Sequence, residues 1–249
     1  MPFLPNLSPT ELVLIIGLAA FSGIAGGVAG YGTGALMPLV LVPIVGAAPV
    51  VPIIAVSAMF TNTARIVAFR RLLNLRRAVI ALVAALPTCA LGAWLYTLLT
   101  GHGAALVIGL SLIATVPLRR VLRNRGHHLG EKGFAAASVG WGVVVGGTTG
   151  AGVILLSLLM ATGLEGGAVI ATDAAVSVVM GVIKISVFAL AGVFTPLVLT
   201  IGVLIGAIGF FTTFIAKLIV ERLPVHVHTA MLDVVVIVGG AAMIYGALK

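Results

Sequence analysis

Charge is what this chain has least of. Only 8% of its 249 residues are charged, while 61% are hydrophobic and mean hydropathy is +1.30. That composition excludes a soluble domain, since a folded protein of this length must cover itself with polar groups. Cysteine is almost absent as well. Cys89, the single copy, permits no internal disulfide and reads as a small core residue. The five histidines lack the spacing of a closed metal site, and no cofactor is expected. No serine or cysteine stands near a base in the manner of a hydrolase: Ser177 and Lys184, on one helix, are about 10 Å apart at ~1.5 Å per residue. No nucleotide-binding motif is present either. Alternating short strands are missing, which excludes a β-barrel. Met1–Glu11 has no basic region and no small-residue cleavage site, so no cleaved signal peptide is expected.

Apolar stretches, each long enough to cross a bilayer, fill the chain instead, and the expected class is an all-α integral membrane protein. The net charge of +8 does not indicate nucleic acid, because Arg and Lys gather in short segments between apolar runs.

Ten hydrophobic elements fall into two sets of five. The first set is Leu12–Ala29, Ala35–Val45, Val50–Phe69, Ala78–Thr100 and Ala104–Pro117. The second is Phe134–Val145, Val153–Thr162, Gly166–Ala191, Pro196–Val220 and Val227–Leu248. Their lengths repeat in order, which predicts two repeats, 1–118 and 134–249, joined by an Arg-rich linker at 119–133. Five elements is an odd number, so the repeats enter the membrane from opposite sides and are inverted. Arg70, Arg71, Arg76 and Arg77, then Arg119, Arg120, Arg123, Arg125 and Lys132, then Lys217 and Arg222, all fall on one side if each glycine-broken pair crosses twice or dips in and returns. The positive-inside rule makes that side cytoplasmic and both termini non-cytoplasmic. Trp94, Tyr96, Trp141 and Tyr245 lie near expected span ends, as interfacial anchors do.

Glycine interrupts this pattern twice. Gly26-Gly27-Val28-Ala29-Gly30-Tyr31-Gly32-Thr33-Gly34 is answered about 118 residues later by Gly146-Gly147-Thr148-Thr149-Gly150-Ala151-Gly152. Each is followed by a short apolar element of only about 15 Å at ~1.5 Å per residue, half a bilayer. Matched breaks in two halves mark a transporter's binding site. A half-helix that starts at such a break offers free backbone N–H groups and a partial positive charge to an anion. Gly30, Tyr31, Gly32, Thr33 and Gly34, and Thr148, Thr149, Gly150, Ala151 and Gly152, are therefore candidate substrate ligands. Polar residues buried in the long spans join them. Ser57, Thr61 and Arg65 recur on one face of the third element with Asn62 adjacent, and Asp173, Ser177 and Lys184 share a face of the eighth. Arg65 and Lys184 take near-equivalent places as charge-neutralising groups. Asp173 is the candidate ion-coupling site or an ion-pair partner, and Asp233 a pairing residue.

Gly23-Ile24-Ala25-Gly26-Gly27 through Gly34, the second glycine motif and Ala171-Thr172-Asp173 together resemble the TauE/SafE-type sulfite exporter family, the four-toluene-sulfonate uptake permeases, over essentially the whole chain. In that family the first motif is often a longer run of glycines, interrupted here by Val28, Ala29 and Tyr31. The resemblance implies a secondary transporter of sulfite, sulfoacetate or a related organosulfonate in the cytoplasmic membrane, not an enzyme. Alternating access about the two hinges, export, proton coupling at Asp173 and a homodimer are further expectations; the resemblance itself sets neither the anion nor the direction. An uptake permease for another anion such as a carboxylate, an anion channel and a membrane-embedded enzyme are the alternatives.

Overall fold

The structure, a computed structural model, describes residues 7–29, 32–124 and 129–220, together with 237, 240–241 and 244–247. Gly30, Tyr31, four of the five histidines, Asp233 and most of the tenth expected element lie outside the described residues. The described residues form nine α-helices: α1 Pro9–Ala29, α2 Thr33–Val45, α3 Val50–Phe69, α4 Leu75–Thr97, α5 Gly101–Asn124, α6 Glu131–Gly147, α7 Gly152–Ala161, α8 Gly166–Leu190 and α9 Pro196–Val220. Six of them, α1, α3, α4, α5, α8 and α9, are long and apolar enough to cross a membrane, while α2 and α7 are short. The protein is an all-α, multi-pass membrane protein.

Local chemistry explains where the helices start. Ser8 and Glu11 cap α1 reciprocally, with Ser8 N donating to Glu11 Oε2 at 2.7 Å and Glu11 N donating to Ser8 Oγ at 3.3 Å. Pro9 then sits at the first helical position, where its missing N–H costs nothing. Asn74 Oδ1 accepts from Arg77 N at 3.0 Å and starts α4. Two boundaries differ from the hydropathy reading. The fifth element does not stop at Pro117 but continues to Asn124, and the sixth begins at Glu131, so helix runs into both ends of the 119–133 segment. Hydropathy marks the edge of the apolar zone, whereas arginine, a good helix former, carries the helix on past it.

Two ends of the bundle can be told apart. At the arginine end, Arg76 Nη2 meets Glu131 Oε1 at 2.8 Å, Asn74 N donates to Thr172 Oγ1 at 3.1 Å, and Leu129 N donates to Ala161 O at 2.7 Å. The last of these is decisive for α6 and α7: the pair begins and ends on the same face, so it enters, breaks at its glycines and returns. At the opposite end, Tyr96 Oη donates to Ala47 O at 2.9 Å and packs edge-on against Phe188. Tyr96 is thus a buried pin between α4, the α2–α3 turn and α8, and not the interfacial anchor its position near a span end suggested. Trp94 and Tyr245 are exposed, as an interfacial place requires.

The helices meet in a regular pattern. α4 packs on α6 as α9 packs on α1, α3 packs on α9 as α8 packs on α4, and α3 packs on α8 at the centre. Exchanging α1 with α6, α3 with α8 and α4 with α9 leaves this set of pairs unchanged. Small residues permit the close crossings, as is usual in membranes. On α6, a Cβ at Gly142 or Gly146 would run into the carbonyls of Ala85 or Cys89 on α4. On α9, Gly202, Gly206 and Gly209 lie against Val56, Phe60 and Thr61 of α3. Cys89 is fully buried in one of two apolar cores, as its composition predicts. Val83 and Phe211, 71% and 68% exposed, belong to the outer apolar surface that faces lipid.

Candidate functional site

Both glycine breaks arrive at the middle of the bundle and touch. A Cβ on Gly34 would lie 2.9 Å from Gly150 N, so only backbone can approach here. Gly150 itself has φ +78°, a left-handed conformation in which glycine carries no penalty. Behind the first break, a Cβ on Gly32 would overlap the backbone of Ser22 and Gly26, which closes α2 against α1.

Around this contact is a cavity of about 110 Å³. Drug-sized pockets run to roughly 300–1,000 Å³, so this one suits a small polyatomic ion. The first break contributes Gly32, Thr33 and Gly34, and the second contributes Thr148 to Gly152. From α3 come Thr61, Asn62 and Arg65; from α8 come Asp173, Ser177 and Lys184. With the exception of Ser57, every candidate ligand within the described residues lines one cavity, although the two breaks are separated by more than a hundred residues. Ser57 is buried but turned away, its hydroxyl donating to Ile54 O at 3.0 Å.

The N-terminal ends of α2 and α7 converge on this cavity. Neither has a side-chain cap, so their first N–H groups remain available and their dipoles present positive charge to its interior. Thr33 Oγ1 and Thr149 Oγ1 are buried without a hydrogen-bond partner, and so is Asp173 Oδ1. Buried polar atoms are nearly always satisfied, and three unsatisfied ones around a single cavity point to a polar occupant. Arg65, 6% exposed, donates to Asn62 Oδ1 at 3.2 Å and does not reach the surface. Arg65 and Asp173 act on each other electrostatically across the cavity, while the two described ion pairs join arginines to Glu131.

Two expected ligands are already engaged. Thr148 Oγ1 is hydrogen-bonded to Ser111 Oγ of α5, which leaves Thr33 and Thr149 as the threonine hydroxyls at the two breaks without a partner. Lys184 Nζ donates to Val145 O at 2.8 Å and Thr148 O at 3.1 Å, so its charge is held at the end of α6.

Sequence reasoning missed the apolar wall, Ile54, Ala55 and Ala58 on α3 with Met180 and Gly181 on α8. Their signal was present, since they sit three, four or seven residues from the polar ligands, the helical repeat. It also missed the supports. Trp141, placed at an interface by its position, is buried, and its Nε1 donates to Ala151 O at 2.9 Å. The indole thereby ties α6 to the start of α7 and fixes the second break. Trp141→Phe keeps the ring but removes that bond and leaves Ala151 O with Ile154 N as its donor; it is expected to lower stability by about 1 kcal/mol and to weaken anion binding, read by thermal melting and by titration of the same preparation.

Among the described residues no group of three His, Cys, Asp or Glu is placed to hold a metal. A model of the sulfite exporter TauE/SafE family matches residues 14–243, nearly the whole chain. No curated protein and no solved structure matches it.

Proposed function

The chain belongs to the sulfite exporter TauE/SafE family, a family of membrane transporters of sulfur anions, and on that premise we propose that its central cavity is the site at which one small sulfur oxyanion is carried across the cytoplasmic membrane. The observation that supports this most is the convergence of two uncapped helix N-termini, two unspent threonine hydroxyls and Arg65 on a cavity of about 110 Å³. Hinge N–H groups and the Thr33 and Thr149 hydroxyls bind the oxygens, as helix N-termini bind sulfate and phosphate. Arg65 supplies the neutralising charge. Asp173, with an unsatisfied carboxylate oxygen in the same space, is the coupling group, which takes up a proton as the anion moves.

Transport proceeds by alternating access, with residues 1–118 and 134–249 as inverted repeats that rearrange about the fixed site. The helix pairs that interchange under the swap of halves support that reading. The arginine end is cytoplasmic by the positive-inside rule, the termini are outside, the direction is export and a homodimer is the assembly.

Flux into proteoliposomes tests this directly. Labelled sulfite and sulfoacetate are expected to move faster under an imposed proton gradient, and Asp173→Asn is expected to abolish that acceleration. Robust flux of acetate or succinate with none of any sulfur oxyanion would overturn the substrate assignment.

A further inference from the structure

Broken-helix transporters place a coupling cation at the unwound carbonyls and C-terminal end of a half-helix, where the dipole is negative. Here the corresponding position at the second break is occupied by the protein itself. α6 ends at Gly147, and the last-turn carbonyl of Val145 and that of Thr148, the residue just past the helix end, both accept from Lys184 Nζ, at 2.8 and 3.1 Å. The lysine reaches them from α8 across sequence separations of 39 and 36 residues and is 7% exposed. In the first half the guanidinium of Arg65 lies against Gly26 at that same interval: a Cβ on Gly26 would be 2.9 Å from Arg65 Nη2.

We propose that Lys184 is a tethered cation that stands in for a metal ion at the α6 break and positions the second hinge for the anion. Its ammonium neutralises the carbonyl end of α6. A peptide unit is planar, so the hold on Thr148 O also fixes the direction of the Thr149 N–H on the opposite edge of the same unit. Thr149 then starts the turn through Gly150 that places its hydroxyl in the cavity. Lys184 is thus a positioning residue and not an anion ligand. The transporter has no need of sodium, because the site sodium would take is filled.

Hydrogen exchange on the full-length protein in nanodiscs, with no anion added, tests the positioning role without reference to the anion site. Lys184→Ala is expected to speed exchange across 145–152 by about tenfold, as loss of roughly one buried charged hydrogen bond implies. Methylammonium or sodium at millimolar concentration, occupying the vacated position, is expected to restore protection. Wild-type exchange is expected to ignore both ions. Unchanged exchange in Lys184→Ala, or protection that neither ion restores, would overturn the proposal. Should Lys184→Ala not fold, Lys184→Met serves: sodium is expected to raise its melting temperature and leave the wild type's unchanged, and no effect on either protein counts against the proposal. Sulfite uptake in sodium and in N-methylglucamine media adds a last arm that rests on the anion reading; sodium-dependent wild-type uptake would overturn the tethered cation. Absence of any sulfite uptake would refute the proposed substrate instead, with the exchange result still standing.

Discussion

Gly150→Ala is expected to weaken anion binding by about tenfold while the protein still folds, and Gly163→Ala is expected to leave binding intact. The comparison works because both glycines have positive φ, +78° and +86°. An alanine at either position meets the same left-handed backbone penalty, about 1–2 kcal/mol. Their surroundings differ. A Cβ on Gly163 has open space, whereas one on Gly150 lies 3.1 Å from Leu112 Cδ2 and 3.4 Å from Gly34 O. The added methyl at Gly150 therefore crowds Leu112 and rests against Gly34 O at ordinary contact distance, so the backbone strain falls on the turn where the two breaks meet. Relief of that strain moves Thr149 and the α7 N–H groups relative to Thr33 and the α2 N–H groups, and one ion is bound less well by both sets. Titration with sulfite, alongside size-exclusion profiles and melting curves, reads the result. Gly150→Leu is expected to be more severe, because its larger side chain must displace Leu112 and the start of α2. Equal affinities for Gly150→Ala and Gly163→Ala would mean that the glycines serve helix packing only.

The second large effect concerns Arg65. Arg65→Met is expected to weaken sulfite binding by about tenfold to a hundredfold, the equivalent of a charged hydrogen bond of roughly 1.5–3 kcal/mol. Thr149→Val removes a neutral hydroxyl and is expected to cost about threefold to tenfold on the same scale, ~0.5–1.5 kcal/mol. The order of the two variants carries the information, since it distinguishes a site dominated by charge from one dominated by hydroxyl and amide donors. Arg65 and Asp173 line the same cavity, so their effects are not expected to add. If Arg65 acts mainly on the anion, Arg65→Met with Asp173→Asn binds as weakly as Arg65→Met alone. If it acts mainly to hold Asp173 ionised, the double variant recovers affinity. Unchanged binding in Arg65→Met would remove it from the site.

The sequence by itself determined the class, the places where the helices break and the identity of nearly all the polar groups in the cavity. Those features are legible because they are local. The cost of putting a residue in lipid is set by that residue, so Thr61, Asn62, Arg65, Asp173, Ser177 and Lys184 stand out in apolar helices without any knowledge of their neighbours. Glycine weakens a helix wherever it stands, so Gly146–Gly152 announces a break before any partner is known.

Only the tertiary structure decided what those groups do to one another. It placed Gly34 beside Gly150, bound Lys184 to the carbonyls at the end of α6, and engaged Thr148 with Ser111. It also drew Tyr96 and Trp141, which hydropathy assigned to the interface, into the interior to hold backbone carbonyls. Each of the hydrogen bonds among these contacts joins residues on different elements, from 10 residues apart for Trp141 and Ala151 to 49 for Tyr96 and Ala47. A hydrogen bond requires a donor and an acceptor within about 3 Å of each other. Packing sets that distance, and the order of residues in the chain does not contain it.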